Sequence, residues 1–340
     1  MKAKLPVGLI GLGRLGRIYA RDLATRVSSA RLVAVADPAP GVAEAVASEF
    51  DVPRWHAEAA GVVEDPEVKA VVIVSPTRSH REQTVAAAER GKAIFCEKPP
   101  ALSLSEAAAM KQEVERRGVF FHMGFMRRYD AGYAAAHHRV AQGEIGTPVL
   151  FKSTSRDPRR TTLEYADPRN SGGMISDMGV HDFDLARWFM GEARTVHAIG
   201  GTLAYPELKT VGDIDNAVVS IVFADGRLGE VDLSRNGVYG YDISTELLGT
   251  AGTLRIGYLR ETPLYVMTAN SVAHDTVPYF MERFAGAYTA QLQDFADAVI
   301  AGRPPAITID DGIGALRLAV AATRSCRSGL PVDVATATDA

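Results

Sequence analysis

The sequence predicts an α/β fold, with a doubly wound parallel sheet in the N-terminal part and an α+β domain with a large open, mostly antiparallel sheet after it. Apolar, β-rich runs alternate with helical patterns through the first 123 residues. Beyond residue 123 the pattern changes to period-two runs separated by turn residues such as Ala224-Asp225-Gly226. We therefore expect two domains, over residues 1–123 and 124–340.

The composition is that of an ordinary globular protein and excludes several classes. Of the 340 residues, 47% are hydrophobic and 23% are charged, and the net charge is −4. This balance argues against nucleic acid or an anionic membrane as a partner. Two cysteines, Cys96 and Cys326, cannot form a disulfide framework and lack the spacing of metal ligands. We expect a cytoplasmic enzyme or binding protein with no metal, no nucleic-acid partner and no membrane contact.

The first part of the chain alternates strands with helices. The predicted strands are nearly continuous in Val, Ile, Leu and Ala, as strands covered on both faces must be. This order is typical of right-handed βαβ units in a parallel sheet. The strands are predicted over Leu5–Ile10, Arg31–Ala36, Ala70–Ser75, Ala93–Cys96 and Val119–His122, and the helices over Arg14–Val27, Ala39–Glu49, His80–Arg90 and Ser103–Arg117.

The second part is predicted to begin with a helix and to continue as a sheet. Turn residues between consecutive strands indicate antiparallel pairing. A polar loop is expected over Asp157–Ser171, followed by one unbroken helix from about Gly173 to Met190. The other predicted elements are the helices Asp130–Gln142, Phe284–Ala301 and Asp311–Ser325 and the strands Val149–Arg156, Thr195–Leu203, Ala217–Phe223, Arg227–Ser234, Asp242–Leu248 and Thr253–Ile256.

A glycine-rich turn lies between the first predicted strand and the first predicted helix. In a G-x-G-x-x-G pattern the first glycine permits a tight turn, the second admits a pyrophosphate, and the third lets helix and strand pack closely. Asp37 ends the next strand, and its carboxylate can accept hydrogen bonds from both ribose hydroxyls of an adenosine. The pattern predicts a Rossmann domain that binds NAD in preference to NADP. The motif is Gly11-Leu12-Gly13-Arg14-Leu15-Gly16.

Parts of this cofactor site are open to a second interpretation. Asp37 before Pro38 is also an ordinary turn with a helix cap, and the Arg14 guanidinium could accommodate a 2′-phosphate. After the next parallel strand, Ser75-Pro76-Thr77 and His80 would lie at the same sheet edge and could touch the ribose or the nicotinamide. A helix cap by Thr77 or Ser79 and a surface position for His80 are the alternatives.

Lys98 directly follows the apolar run Ala93–Cys96 and Glu97. A cation where a buried strand ends needs a reason, because desolvating an unpaired ammonium is costly. Ligands of open α/β sheets bind at the carboxyl ends of the strands, so this strand would deliver Lys98 to the working edge. A solvated lysine in a loop is the alternative.

A carboxylate and an imidazole occur together further along the chain. Asp177 and His181 are four residues apart and would share one face of the predicted helix, with Asp184 on the same stripe and Asp182 pointing away. A carboxylate beside an imidazole raises the basicity of the ring, which suits proton removal near neutral pH. We interpret the pair as an acid–base group. An exposed polar face and a zinc site are the alternatives, although no third zinc ligand accompanies the pair.

Together these motifs resemble the Gfo/Idh/MocA oxidoreductases, and among them the inositol 2-dehydrogenases. The resemblance covers nearly the whole chain, from the glycine turn through the stretch Ser75–Pro99 and the Asp177/His181 pair to the two closing helices. Two segments are similar to inositol dehydrogenases in particular. They are Gly124-Phe125-Met126-Arg127-Arg128-Tyr129-Asp130 and Tyr239-Gly240-Tyr241-Asp242.

The resemblance implies NAD-dependent oxidation of a ring secondary alcohol of myo- or scyllo-inositol to the ketone. It implies Lys98, Asp177 and His181 as the catalytic residues, Glu97 and Lys98 as part of the cofactor site, and a cis peptide before Pro99. It also implies an open sheet that joins subunits into a homo-oligomer, either a dimer or a homotetramer. The residues implied to contact the substrate are Lys98, Arg127, Ser155, Asp157, Asp177, His181, Tyr239 and Tyr241.

One departure from the family pattern concerns the substrate. Similar inositol dehydrogenases carry a His and an Asn where this chain has Ser155 and Asp157. A different inositol isomer or a pyranose sugar could fit, so an aldose or other sugar dehydrogenase of the same family is one alternative. A non-catalytic NAD-binding sensor is another. Arg127 is also compatible with a surface charge or an ion pair with Asp130.

Overall fold

The computed structural model describes residues 4–339, which divide into two compact units. The first unit comprises the chain up to Tyr129 together with Gly286–Ile313, and the second comprises Asp130–Ala285 and the chain from Gly314. The segment 286–313 therefore belongs to the Rossmann unit, although the sequence places it in the domain 124–340. Within residues 4–339, no helix is long and apolar enough to cross a membrane.

Strands and helices alternate over residues 4–124, as the sequence predicts. Two short elements were missed there, a strand over Arg54–His56 and a helix over Ala59–Glu64, because neither has a long apolar run. The strands are β1 Leu5–Ile10, β2 Ala30–Ala36, β3 Arg54–His56, β4 Ala70–Ile73, β5 Ala93–Glu97 and β6 Phe121–Gly124, and the helices are α1 Arg14–Thr25, α2 Val42–Glu49, α3 Ala59–Glu64, α4 His80–Glu89 and α5 Leu104–Arg117.

The six strands form one parallel sheet, in the order β3-β2-β1-β4-β5-β6. The order reverses between β1 and β4, and ligands of doubly wound folds bind at such a point, outside the carboxyl ends of the strands. The strand interiors are fully buried, as at Val7, Val33, Val72 and Phe95. The predicted doubly wound parallel sheet is confirmed.

After residue 124, the chain forms short helices around strand β7, then a run of strands, and then three helices and a final short strand. These elements are α6 Ala131–Ala141, β7 Pro148–Arg156, α7 Leu163–Ala166, α8 Pro168–Ser171, α9 Met174–Asp177, α10 Gly179–Met190, β8 Ala193–Gly201, β9 Asn216–Phe223, β10 Leu228–Ser234, β11 Asp242–Gly249, β12 Thr253–Gly257, β13 Val266–Met267, β14 Val272–Ala273, α11 Phe280–Arg283, α12 Ala285–Ala301, α13 Ile309–Ser328 and β15 Val332–Asp333.

The second unit contains a seven-stranded sheet in the order β12-β11-β7-β10-β9-β8-β15. Its pairs are antiparallel except for β7 with β10, which run parallel. Helix α10 packs on β7 and β10 and covers one face of the sheet. On the opposite face, Ile199, Val218 and Leu228 are exposed. The predicted open, mostly antiparallel sheet is confirmed.

Two local predictions in the second unit are wrong. The expected unbroken helix over 173–190 is interrupted at Met178, where the His181 amide donates to the Met178 carbonyl three residues back. The next residue, Gly179, has no Cβ, and a Cβ there would lie 3.0 Å from both the Leu233 and the Phe183 side chains. Close packing against the sheet therefore takes precedence over a regular helix.

The predicted polar loop over 157–171 contains the short helices α7 and α8. Each helix has its own side-chain cap. The Thr162 hydroxyl accepts from the Tyr165 amide, and the Asp167 carboxylate accepts from the Arg169 amide. Caps of this type stabilise single helical turns in polar sequence, where no apolar periodicity marks a helix.

Candidate active site

The glycine turn joins β1 to α1 where the strand order reverses. Gly11 has φ +90°, and a Cβ there would lie 2.7 Å from the Ser75 nitrogen. A Cβ on Gly16 would lie 2.0 Å from the Gly11 carbonyl oxygen, so strand and helix pack backbone to backbone. A Cβ on Gly13 would meet no atom within 4 Å, and Gly13 is the N-cap of α1. The turn presents the start of α1 to an anion such as pyrophosphate.

Asp37 lies beside the glycine turn. Its Oδ2 accepts a hydrogen bond of 2.8 Å from the Leu12 amide, and its Oδ1 accepts one of 2.9 Å from the Ala39 amide. The hydrogen bond from the Ala39 amide closes the ordinary turn that Asp37-Pro38 suggests. This turn leaves Asp37 beside the glycine turn, where it can still bind the cofactor. Each carboxylate oxygen keeps a further lone pair for a ribose hydroxyl. The Leu12 side chain is buried, whereas Arg14 is exposed and Leu15 is partly exposed. The glycine turn and Asp37 together fit NAD.

The segment after β4 is braced by His80. The ring Nδ1 lies 2.8 Å from the Pro99 carbonyl oxygen, and Nε2 lies 2.9 Å from the Ser75 carbonyl oxygen. The ring is 1% exposed, so the surface alternative is wrong. Burial lowers the pKa of His80, although the two hydrogen bonds to backbone carbonyls oppose this shift. Because both nitrogens face backbone carbonyls, the ring braces the segments carrying Ser75 and Pro99, and its predicted contact with the cofactor stays a prediction.

The other residues after β4 have modest local roles. The Ser75 hydroxyl donates to Gln83 at 2.6 Å. Pro76 precedes a 3₁₀ turn over Thr77–Ser79, and Ser79 stands at the N-cap of α4 without a side-chain hydrogen bond there. The capping alternative for Ser79 is therefore wrong.

Lys98 follows β5 and is half-buried, and the peptide bond between Lys98 and Pro99 is cis as expected. The preceding Glu97 is buried and holds this turn, since its Oε2 accepts the Lys98 amide at 3.2 Å. Its other oxygen accepts the Tyr19 hydroxyl from α1. Burial raises the pKa of Glu97 to about 7, although the Tyr19 hydrogen bond and the Lys98 charge oppose this. Glu97 thus ties the dinucleotide helix to the lysine turn.

Arg127 lies in a 3₁₀ turn over Met126–Tyr129, after β6. The residue is 2% exposed, so its description as a surface charge is wrong. Asp130, offered as an ion-pair partner, caps α6 and accepts from Arg283 at 2.7 Å.

In the second unit, several of the predicted substrate residues lie at one edge of the sheet. Because β7 and β10 are parallel, the segments after both strands reach the same edge, and the Asp157 amide donates to the Ser234 carbonyl at 2.8 Å. Strand β11 begins at this edge, where Asp242 pairs with Arg156. The Tyr239 hydroxyl donates to Asp242 at 2.8 Å.

Tyr241 lies just before β11 and is buried. Its ring packs edge-on against Tyr279 at 5.7 Å, and its amide donates to the Val277 carbonyl at 2.8 Å. The segment that carries both predicted substrate tyrosines, Tyr239 and Tyr241, is therefore anchored at its buried end and exposed at the other.

Asp177 is held by two groups that the sequence did not single out. Its Oδ1 accepts the Tyr165 hydroxyl at 2.9 Å, and its Oδ2 lies 3.4 Å from a guanidinium nitrogen of Arg235. His181 follows in α10 and is 8% exposed. The predicted helical face shared by Asp177 and His181 is interrupted at Met178, so their pairing stays a prediction.

Ser155 and Asp182 form a buried hydrogen-bonded group. The Ser155 hydroxyl lies 2.9 Å and 2.8 Å from the two Asp182 oxygens, and Ser153 donates to the same carboxylate at 2.5 Å. Asp182 therefore points toward β7. Any contact of Ser155 with a substrate would use the lone pairs of its oxygen.

A Rossmann unit with an anion-binding turn, in a chain whose α+β unit has carboxylates and tyrosines at one edge of its sheet, is typical of a two-domain, dinucleotide-dependent oxidoreductase. Residues 5–125 match the family model described as "Oxidoreductase family, NAD-binding Rossmann fold", and residues 137–334 match "Oxidoreductase family, C-terminal alpha/beta domain". The chain belongs to the Gfo/Idh/MocA oxidoreductase family.

Known relatives match along almost the whole chain. The sequence is 41% identical to scyllo-inositol 2-dehydrogenase (NAD(+)) of Bacillus subtilis strain 168, over 98% of this chain and 97% of that protein. It is 37% identical to myo-inositol 2-dehydrogenase of Thermotoga maritima, over 94% and 95%. The crystal structure of scyllo-inositol dehydrogenase from Lactobacillus casei with bound NAD(H) and scyllo-inositol has a TM-score of 0.93 at 33% identity, covering 98% of this chain and 100% of that one.

These comparisons confirm the resemblance and the predicted cofactor. The protein is an NAD-dependent dehydrogenase that acts on CH–OH groups. Among residues 4–339, no group of three or more His, Cys, Asp or Glu side chains is placed to hold a metal ion.

Replacing Asp37 by Asn tests its role in cofactor choice. The asparagine keeps an oxygen for the Leu12 amide but loses the charge that repels a 2′-phosphate. We expect the ratio of kcat/KM for NAD to that for NADP to fall by about tenfold or more, equivalent to about 1.4 kcal/mol. Steady-state kinetics with both cofactors measure the ratio, and an unchanged ratio would remove Asp37 from cofactor selection. The exposed variant Asp51→Asn is the control.

Replacing Glu97 by Gln tests the buried carboxyl. A folded-state pKa raised to about 7 contributes stability below the ordinary pKa of the carboxyl and loses it as pH rises through 7. We expect the melting temperature of Glu97→Gln to fall less than that of the wild type between about pH 5 and pH 8. The exposed helix residue Glu44 offers a matched Glu→Gln control that should follow the wild type. If the melting temperatures of all three proteins changed with pH by the same amount, Glu97 would not be the titrating group.

Proposed function

We propose that this protein is an inositol 2-dehydrogenase, which oxidises a ring secondary alcohol of myo- or scyllo-inositol to the ketone. The observation that carries the proposal is similarity over almost the full length to both scyllo- and myo-inositol 2-dehydrogenases. The polar edge of the second sheet supports it, because a polyol needs many hydrogen-bond partners. When bound at the glycine turn and Asp37, NAD would supply the acceptor for the hydride that leaves the carbon bearing the hydroxyl.

Three side chains divide the chemistry at that hydroxyl. His181 takes the hydroxyl proton as general base. Asp177 orients the ring and favours its protonated form as the proton arrives. Lys98 stabilises the developing alkoxide by charge and hydrogen bond.

The remaining hydroxyls of the ring are recognised by further polar residues. Arg127, Asp157, Tyr239 and Tyr241 supply donors and acceptors for them, and Ser155 contributes through its oxygen lone pairs. Ser155 and Asp157 replace the His and Asn that similar inositol dehydrogenases carry, and this substitution supports a sugar dehydrogenase as the second candidate function. A cytoplasmic location completes the proposal, since both cysteines are free and the reaction draws on NAD.

A substrate screen tests the proposal directly. NAD reduction is followed by the absorbance of the reduced nicotinamide with myo-, scyllo- and chiro-inositol and with common hexoses, each also with NADP. We expect the highest kcat/KM with NAD and either myo- or scyllo-inositol. A higher value for an aldose would favour the sugar dehydrogenase. Failure of every polyol and sugar to reduce either cofactor would favour the non-catalytic sensor.

His181→Ala tests the assignment of the base. Losing a positioned general base lowers kcat by on the order of 10²-fold or more. We expect this loss in His181→Ala without a loss of NAD binding, measured by quenching of protein fluorescence. The exposed His138 on α6 gives a matched His→Ala control that should keep wild-type kcat. Near-normal turnover by His181→Ala would remove the ring from the chemistry.

We further propose that the open face of the second sheet joins copies of the chain into a dimer or homotetramer. Its neighbouring strands place Ile199 opposite Val218, and these side chains are 67% and 48% exposed. Leu228 and Leu248 lie on the same face, on either side of Leu150. Exposed apolar patches of this kind mark protein–protein interfaces.

The oligomer is tested by light scattering coupled to size exclusion. We expect the wild type to elute as a dimer or tetramer and Val218→Lys with Leu228→Lys to shift toward the monomer, because burying two ammonium groups opposes association. Ile300→Lys, a change of an exposed residue on α12, is the control and should leave the mass unchanged. A monomeric wild type would contradict this interface.

A further inference from the structure

A buried arginine lies beside the proposed catalytic carboxylate. Arg235 directly follows β10 and is 1% exposed. One terminal nitrogen lies 3.4 Å from Asp177 Oδ2, and the other lies 3.5 Å from Asp213 Oδ2. A guanidinium so far from water is retained only when it is paired, because its desolvation costs several kcal/mol. Here its charge is shared between two carboxylates.

Asp213, the second carboxylate beside Arg235, also binds the backbone of a neighbouring helix. Its Oδ1 accepts the Met174 amide at 2.9 Å, at the start of α9, the short helix that ends at Asp177. Burial raises the pKa of Asp213, and the Arg235 charge opposes the shift. The backbone amide of Arg235 donates to the Asp215 carbonyl at 2.8 Å, which fixes the start of its side chain.

Asp215 is itself fixed. Its carboxylate accepts the amides of Leu203, Ala204 and Tyr205 at 2.8, 2.9 and 2.7 Å. The arginine therefore extends from a rigid support and reaches Oδ2 of Asp177, while the Tyr165 hydroxyl donates to Oδ1.

We infer that Arg235 is a positioning residue of the proposed reaction, which holds the Asp177 carboxylate in the orientation that His181 requires, while Asp213 balances the remaining charge. The inference rests on the proposed role of Asp177 and His181. An ion pair between Arg235 and Asp213 alone would be a structural feature. Sharing the guanidinium with Asp177 makes the same arginine part of the acid–base group.

The charges predict opposite effects of two substitutions. The charged and titratable groups beside Asp177 or its partner Arg235 include Tyr165 from α7, Arg235 after β10 and Asp213 before β9, and the proposed function adds His181 from α10. The Asp182 carboxylate accepts from the Ser153 and Ser155 hydroxyls. Removing the positive charge of Arg235 favours the protonated imidazole, so the acid limb of kcat/KM moves to higher pH. Removing the negative charge of Asp213 leaves the arginine unbalanced, so the limb moves to lower pH.

The experiment compares Arg235→Met, Arg235→Lys and Asp213→Asn in the full-length protein. We expect kcat to fall by on the order of 10- to 10²-fold in Arg235→Met, with partial recovery in Arg235→Lys and unchanged NAD binding in both. We expect the acid limbs of Arg235→Met and Asp213→Asn to move in opposite directions, each by about half a pH unit or more. Limbs that stay in place, or that move together, would overturn the inference.

A second measurement separates this inference from the proposed function. The ionisation of the His181 ring is followed by NMR in protein with labelled histidine and no substrate, and its signal is assigned by its loss in His181→Gln. The proposed function is tested separately, by the substrate screen of the wild-type protein. Opposite displacements of the His181 titration in Arg235→Met and in Asp213→Asn support the role of Arg235 whatever the substrate, and equal titrations overturn it. If Arg235→Met does not fold, Arg235→Gln removes the same charge with a polar side chain and takes its place in the comparison.

Discussion

The polar groups of both sheet edges depend on one constraint, which is that a charge withdrawn from water needs donors or counter-charges from the protein. Asp182 is fully buried and is held by the Ser153 and Ser155 hydroxyls. Glu97 is held by the Tyr19 hydroxyl and a backbone amide, and burial still raises its pKa to about 7. Such partners fix the orientation of each carboxylate, because a rotated carboxylate would lose its hydrogen bonds.

Strand direction decides which polar and charged groups lie close enough together to pair with a buried charge. In the Rossmann unit all strands are parallel, so the glycine turn, Asp37 and Lys98 follow strands that end at one edge. The second sheet is mostly antiparallel, and its single parallel pair among the described strands, β7 with β10, brings the segments after both strands to the same edge. If β10 ran antiparallel to β7, Arg235 would lie at the other end of the sheet, remote from Asp157.

Local signals in the sequence were sufficient for most of the fold and for the glycine turn with Asp37 beside it. The apolar runs of β1, β2, β4 and β5 are long enough to be recognised without tertiary information, and the glycine pattern has a fixed steric meaning. The interruption of the helix at Met178 lies beside a close approach of Gly179 to Leu233, where a Cβ would be 3.0 Å from the leucine side chain. No pattern along the chain records that contact.

The partners of Asp177 were missed for a related reason. Arg235, like Lys98, follows a strand directly, but β10 alternates polar and apolar residues because one of its faces is open. A charge at the end of an alternating strand is usually solvated, whereas the same charge after the continuous apolar run of β5 is conspicuous. Tyr165 lies in a stretch predicted to be loop. The hydrogen bond from Ser155 to Asp182 likewise depends on how α10 packs across β7.

The central claim is that a hydride leaves a ring carbon of inositol and is transferred to NAD on this protein. The most direct measurement is isotope transfer from myo- or scyllo-inositol carrying deuterium on the ring carbons, with the nicotinamide product examined by mass spectrometry and NMR. We predict one deuterium at C4 of the reduced nicotinamide for each inosose formed. Reduced cofactor without deuterium, or inosose formed without reduced cofactor, would contradict the claim.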